Sequence, residues 1–376
     1  MKASLRMAWT ALGLVLAVPF PCLGAEAAPA QPALHDALLA LDKQSDTELD
    51  NEHLHRLKFL IAQYGWPTVK SAGRDGVDAI GDLLVRAGAD ENFQGDGEQY
   101  YGTRIGIDID PLAYAVLNDR IEVAHGRPQQ FGSLLTLDQG KVVTSPTTSA
   151  KVANGYRDSI GLPFLDTYLK QVQAALDDGK PLTDAAATPR LSTELHPVTN
   201  PQLRSQLHEM VASEQVARNV FVMNGMREGS PEFKHVAAID AAHLPRIKAI
   251  FDKVGFPDAQ MVGRSGVSNF FILVQHADAD PAFQAKVLEE AAKRMRAGEL
   301  SRQQYALMTD RVLIAQGKPQ RYGSQIQDKD GHSIPLPTED LAHVDERRAA
   351  MALEPLADYL KETDAMYAPA ASTTSH

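Results

Sequence analysis

Cysteine is almost missing from this chain: Cys22 is the only one in 376 residues. It falls inside an N-terminal leader, so the rest can form no disulfide, no thiolate metal site and no cysteine nucleophile. Long apolar runs are missing too. The one candidate, Ala11–Phe20, is too short for a spanning helix and is punctuated by Pro19 and Pro21. There is no basic run, and the formal net charge is −11, which argues against nucleic acid as the main partner. The chain contains no GxSxG, GxGxxG or P-loop, which disfavours α/β-hydrolase and nucleotide-binding readings. It contains no HExxH either, since His208-Glu209 is followed by Ala212 where the second histidine would stand. Nothing implies a cofactor, and no metal ligand is assigned.

The leader is positively marked. Lys2 and Arg6 give a basic start, the apolar run follows, and Ala25-Glu26-Ala27 has the small-x-small form that a signal peptidase cuts after. A lipid anchor on Cys22 needs small residues before it, and Phe20 and Pro21 stand there. The reading is a cleaved export signal over 1–27 and a periplasmic or secreted protein. Removal of the leader, with Lys2, Arg6 and Glu26, leaves 349 residues and a charge of −12. That length suits two domains of ordinary size. A thiol-free exported chain fits the Gram-negative periplasm, with stability from packing and no membrane span in the mature protein.

What the chain does have is a repeat. Tyr305 to Ser324, YALMTDRVLIAQGKPQRYGS, aligns without a gap on Tyr114 to Ser133, YAVLNDRIEVAHGRPQQFGS, at an offset of 191 with ten of twenty positions identical. At an offset of 190, His243-Leu244 answers His53-Leu54, Gly255-Phe256-Pro257 answers Gly65-Trp66-Pro67, and Gly263-Arg264 answers Gly73-Arg74. The fold expected is mainly α: two homologous helical units in tandem, each with a small β-hairpin. The boundaries expected are 28–170 for a degenerate first unit, 171–200 for a linker, 201–365 for the second unit and 366–376 for a disordered tail.

In chain order, a short helix is expected over Pro32 to Lys43, then one with a capping box at Thr47 and Asp50 that ends at Tyr64 before Gly65. A helix over about Asp75 to Arg86 is followed by a Gly- and Asp-rich loop over 89–109. Asp110-Pro111 opens the next helix. Leu134 to Val143 reads as a hairpin around Asp138-Gln139-Gly140, and a last short helix closes the unit near Lys170. In the second unit, helices are read from Pro201 to Met223, which carries Glu214, Gln215 and Arg218, and from a cap at Ser301. Asp90-x-Asn92-x-Gln94-Gly95 mimics the start of a calcium loop, but Gly97 and Tyr101 stand where an apolar residue and a glutamate belong. Phe270, Phe271, Leu273 and Val274 read as core, and Lys293, Arg294 and Arg296 as a solvated face.

The two units differ in polar content. QHADADPAFQ, from Gln275, has His276 set against Ala87 of the first unit, with one residue lost nearby. At these residues the chain resembles the bacterial proteins catalogued as domain of unknown function 6624. The resemblance covers about Pro201 to Lys361 and rests on GFP at Gly255, QHADADPAF at Gln275, TDRV at Thr309 and GKPQRYGSQ at Gly317. That family's usual Trp after the first Gly is Phe256 here. The resemblance implies a mostly helical unit with polar positions at His276, Asp278, Asp310, Arg311 and Gln320, and no established activity.

Two constellations follow. Asp310 and Arg311 flank an apolar helix line, where charges persist only if paired. They read either as a structural ion pair pinning the Pro-Gln-x-aromatic-Gly loop or as an arginine anion clamp. His276-x-Asp278-x-Asp280 reads as a helix end followed by a helix cap, or as a metal site or His–Asp base. The functional expectation is a binding protein whose second unit presents Asp310, Gln320, Tyr322 and Gln325, with His276 and Arg311, to an anionic ligand or an envelope protein. The alternative is an envelope hydrolase or lyase, with His276 as base, Asp278 orienting it and Arg311 stabilising an oxyanion.

Overall fold

A computed structural model describes residues 5–6, 28–44, 48–144, 147–182, 197–225, 227–329 and 332–367. The expected leader falls outside them apart from 5–6, as do Thr47 and the expected tail over 366–376 apart from 366–367, which are the end of the last helix and not disordered. The described residues hold fourteen α-helices and two antiparallel hairpins. The chain divides into two compact units: Leu12–Leu207 with Pro257–Ser268, and Met1–Ala11 with His208–Phe256 and Asn269–His376.

The first copy contains α1 (Pro32–Lys43), α2 (Asn51–Tyr64), α3 (Val69–Arg86), α4 (Glu91–Gly102), α5 (Pro111–Ala124), β1 (Leu135–Asp138), β2 (Lys141–Thr144), α6 (Ala150–Ser159) and α7 (Leu165–Asp177). Local chemistry sets most of these ends. Asp50, Asp90, Asp110 and Ser149 each accept a backbone N–H of the first turn they cap. α3 starts earlier than expected because Thr68 and Ser71 form a reciprocal capping box, and it breaks at Gly73, whose φ of 73° a side chain would strain. The β1–β2 turn uses Gln139 and Gly140 at φ 48° and 80°, the primed-turn geometry whose twist matches a hairpin. Leu34, Leu38 and Leu41 of α1, Ile80, Leu83 and Leu84 of α3, and Tyr114 and Leu117 of α5 make the core. α6, α7 and the hairpin bury a smaller cluster around Leu112, Leu165 and Val172.

The expected loop over 89–109 is mostly helix, α4. Gly95, Gly97, Gly102 and Gly106 suggested a loop, but Phe93, Gly97 and Tyr101 are buried at helical spacing. Gly97 is small for a packing reason: a Cβ there would meet Leu84 and Trp66 at 2.7 Å. Asp90 caps this helix and pairs with Lys58. Where one closing helix was expected, α6 and α7 stand, and α7 runs on to Asp177.

The second copy contains α8 (Pro201–Met223), α9 (Pro231–Val254), α10 (Ala259–Gln275), α11 (Pro281–Arg296), α12 (Arg302–Ala315), β3 (Ile326–Lys329), β4 (His332–Pro335), a 3-10 turn at Leu341–His343, α13 (Val344–Ala350) and α14 (Leu356–Tyr367). α10 breaks at Gly263, φ 71°, as α3 does at Gly73. Within the second compact unit, Phe270 stacks on Phe251 and meets Phe256 edge-on, and Phe283 closes on Phe251. β3 and β4 pair from Ile326↔Pro335 to Lys329↔His332, and Leu5–Arg6 pair with Gln327 and Ile326.

The copies differ most at their first two helices. α8 has 23 residues against 12 in α1, and α9 has 24 against 14 in α2. The connections, 44–50 and 224–230, are equal in length. The second copy's helical hairpin is therefore longer by three turns on each arm, about 15 Å. The added residues are 213–223 and 231–240.

Candidate functional site

Each copy first builds a clamp around its shared loop. Asp119 is buried, and its carboxylate accepts the N–H groups of Gln130 at 2.7 Å, Phe131 at 2.9 Å and Ser133 at 2.7 Å, plus the Ser133 hydroxyl at 2.7 Å. Asp310 does the same for Arg321 at 2.7 Å, Tyr322 at 3.1 Å and Ser324 at 2.9 Å. From the other side, the buried Arg157 donates to the Phe131 carbonyl at 2.8 Å and lies 4.4 Å over the Tyr168 ring. Arg348 donates to the Tyr322 carbonyl at 2.6 Å and lies 4.9 Å over Tyr359. Burial lowers Arg157 to about 10 and raises Tyr168 to about 12. Gln129 and Gln320 clip the end of the loop. Gln320 accepts from the Gln325 N–H at 2.8 Å and donates to the carbonyls of Gln325 and Leu336, each at 2.9 Å.

The second cluster belongs to the second copy and lies within one compact unit. Glu214 is 1% exposed, and its Oε1 meets His276 Nδ1 and lies 3.3 Å from Arg218 Nε. Its Oε2 is 3.8 Å from His243 Nδ1. Arg218 Nη2 reaches both carboxylate oxygens of Asp240, at 2.8 and 3.0 Å. Beyond His276, Arg311 Nη1 reaches both oxygens of Asp278 at 2.7 and 2.9 Å, and Gln284 adds a bond to Asp278 at 3.1 Å. Asp278 is the exposed edge of the group, with 45% of its side chain in solvent. Arg311 Nε is buried and has no hydrogen-bond partner among the described residues.

Burial dominates the protonation of this cluster. It pushes the Glu214 carboxyl up to about 7, against the pull of Arg218 and His243. It pushes His276 down to about 3, and the Arg218 and Arg311 guanidiniums push the same way. It raises Asp240, opposed by its bonds to Arg218, and lowers His243. At neutral pH the imidazole is uncharged and Glu214 stands near the midpoint of its ionisation. Once ionised, the Glu214 carboxylate accepts from Nδ1–H, which fixes the tautomer and leaves the lone pair on Nε2, the arrangement of an oriented base. Among the described residues, no three His, Cys, Asp or Glu side chains are grouped to hold a metal ion.

The seven residues singled out in the sequence thus fall into two bonded groups. Asp310, Gln320, Tyr322 and Gln325 belong to the loop clamp: Tyr322 is buried with Ala306 and Leu353, and the Gln325 side chain turns to Ser324 Oγ at 3.3 Å. His276, Asp278 and Arg311 belong to the second cluster. Asp310 and Arg311, adjacent in sequence, do not pair with each other; each has its own partners. His276 also stands opposite a different residue than expected. Gln284 on the carbonyls of Val274 and Gln275 repeats Gln94 on those of Leu84 and Val85, and Lys248–Asp280 repeats Lys58–Asp90. The offset of 190 therefore continues without a gap, and His276 answers Arg86, which pairs with Asp42. The one-residue shift comes later, before the caps Asp110 and Ser301.

Glu214 and Arg218 were read as a polar set in α8 and His276 was singled out, but the pairing of Glu214 with His276 was not. Asp240, Arg157 and Arg348 were missed. A signal existed for the first group: the copies begin 169 residues apart at Pro32 and Pro201 yet lie 190 apart from His53 onward. That mismatch marks the insertion carrying Glu214, Arg218 and Asp240. For the arginines, Arg157 and Arg348 stand at the same offset of 191 as the motif.

No curated protein and no solved structure matches the chain. A family model, described as a family of unknown function (DUF6624), matches residues 36–178 and again 201–370. The first half is thus itself matched, where the resemblance was expected over the second half with a decayed copy before it. Two matches in tandem, each coinciding with one helical copy and its hairpin, show that the chain belongs to the DUF6624 family.

Proposed function

We propose that the second copy carries an acid–base centre, with Glu214 and His276 as its proton-holding pair, in an exported protein that hydrolyses an ester- or amide-like bond. The observation that carries this is the pairing itself. It joins His276 to a glutamate on the helical extension that the first copy lacks, so the extension and the histidine arrive together. In this reading His276 takes a proton from water, whose oxygen attacks the substrate carbonyl. The unpartnered Arg311 Nε donates to the developing oxyanion, and the leaving group receives the proton. Asp278 is a positioning residue for Arg311. Export rests on the leader; no described helix is long and apolar enough to cross a membrane. Leader removal would take Leu5–Arg6 away and leave a two-stranded hairpin like that of the first copy.

The test is a screen of the purified exported form against chromogenic esters, amides, phosphoesters and glycosides, with Glu214→Gln and His276→Gln alongside. The expected result is ester or amide turnover that rises as pH passes about 7 and Glu214 ionises. Each variant should lose about 100-fold in kcat with an unchanged helical spectrum. Turnover that survives both substitutions would sink the reading. The second reading is binding without turnover, favoured by the same Arg311 Nε. Against it, Arg311 and Arg218 are already matched by Asp278 and Asp240. Anion affinity that depends on Arg311, with no turnover of any substrate, would establish it instead.

A further inference from the structure

We infer that the first copy holds its own site, in which Glu98, Tyr114 and Asn118 receive a primary ammonium group. Tyr114 and Asn118 lie one turn apart on the same face of α5, at 0% and 1% exposure. Asn118 Nδ2 donates to Glu98 Oε1 of α4 at 2.5 Å. The Tyr114 hydroxyl and the Asn118 Oδ1 are buried without a hydrogen-bond partner among the described residues. Asn118 thus ties one orphaned oxygen to a half-buried carboxylate, whose charge the Tyr114 hydroxyl also feels, and the acceptors gathered here are all oxygens.

The second copy shows that the fold does not need this group. Leu288, Thr309 and Leu313 stand where the first copy has Glu98, Asn118 and Glu122, and Thr309 is satisfied by the Tyr305 carbonyl at 2.8 Å. Arg127 and His125 act on Glu98 but do not offset its burial. Arg127 is held by both oxygens of Glu122 at 2.9 Å. His125 bonds Gln94 at 2.8 Å and lies 3.7 Å from Glu91. Burial, with Glu122 adding to it, raises the Glu98 carboxyl, and burial, with Glu98 adding to it, raises Tyr114. A bound cation would relieve this. A neutral hydroxyl would leave the charge, and three oxygens are too few for calcium. An ammonium head has three N–H donors and no acceptor, which matches three oxygen atoms.

The test is thermal unfolding of the full chain in methylammonium, tetramethylammonium and potassium chlorides at equal ionic strength. Methylammonium alone should raise Tm by mass action. Glu98→Leu and Asn118→Thr, which import the second copy's residues, and Glu98→Gln should each remove that rise. His276→Gln should keep it, which separates this site from the acid–base centre. An equal rise with tetramethylammonium or potassium, a rise that survives in Glu98→Gln, or no rise with methylammonium would overturn the assignment.

Discussion

Where the third helix of each copy hands over to the fourth, a side chain reaches back to a carboxylate on the first helix. In the first copy it is Arg86 on Asp42; in the second it is His276 on Glu214. Arg86 also donates to the Asp42 and Asp82 carbonyls at 3.1 Å, as a fixed brace would. A guanidinium keeps its proton under all ordinary conditions, whereas an imidazole and a buried carboxyl exchange theirs. The difference therefore turns a permanent ionic lock into a pair that holds or releases a proton. The loop clamps have not diverged in this way: Asp119 and Asp310 make the same bonds. The bonds the copies share and the pair in which they differ fall on different residues of one repeat.

Four measurements would break or sharpen that comparison. Asp119→Ala and Asp310→Ala each orphan three backbone N–H groups and should each cost about 3–5 kcal/mol in urea unfolding. A silent substitution in either copy would end the claim of equivalence. Gly97→Val should cost about 1–3 kcal/mol by overpacking against Leu84 and Trp66. The second copy has Val274, Phe256 and Val287 at these three positions, so adding Leu84→Val and Trp66→Phe should recover much of that loss.

Glu214→Gln tests the proton. A carboxyl raised in the folded state destabilises it as pH climbs from the unfolded value to about 7. The variant should gain on the wild type by about 1–3 kcal/mol between about pH 5 and 8. His276, lowered in the folded state, gives the opposite slope below its ordinary value, so the wild type alone should look flat where the two overlap. The smallest effect is at Lys58 and Lys248, both half exposed. Alanine at either should cost about 0–1 kcal/mol, and equally.

The repeat, the hairpins and most helix starts were legible in the sequence, because Asp110-Pro111, Ser301 and Asp280 act through neighbours one turn away. α4 was hidden, since Gly97 reports a close contact with Trp66, far off in sequence, and reads locally as a loop. The Glu214–His276 pair joins residues 62 apart on helices whose periodicity gives no hint of which faces meet. Phe256, where the first copy has Trp66, became intelligible only beside Val287, which stands where Gly97 makes room for that tryptophan.

The loop clamp has one more consequence. Three consecutive-turn N–H groups converging on a single point form a cradle of the kind that elsewhere captures phosphate or sulfate from solution. Here the occupant is built in, as the carboxylate of Asp119 or Asp310. Each copy is in that sense a receptor permanently bound to its own ligand. Its stability should be separable into receptor and guest: with the aspartate truncated, formate or acetate in the buffer should re-enter the cradle and restore part of the lost melting temperature.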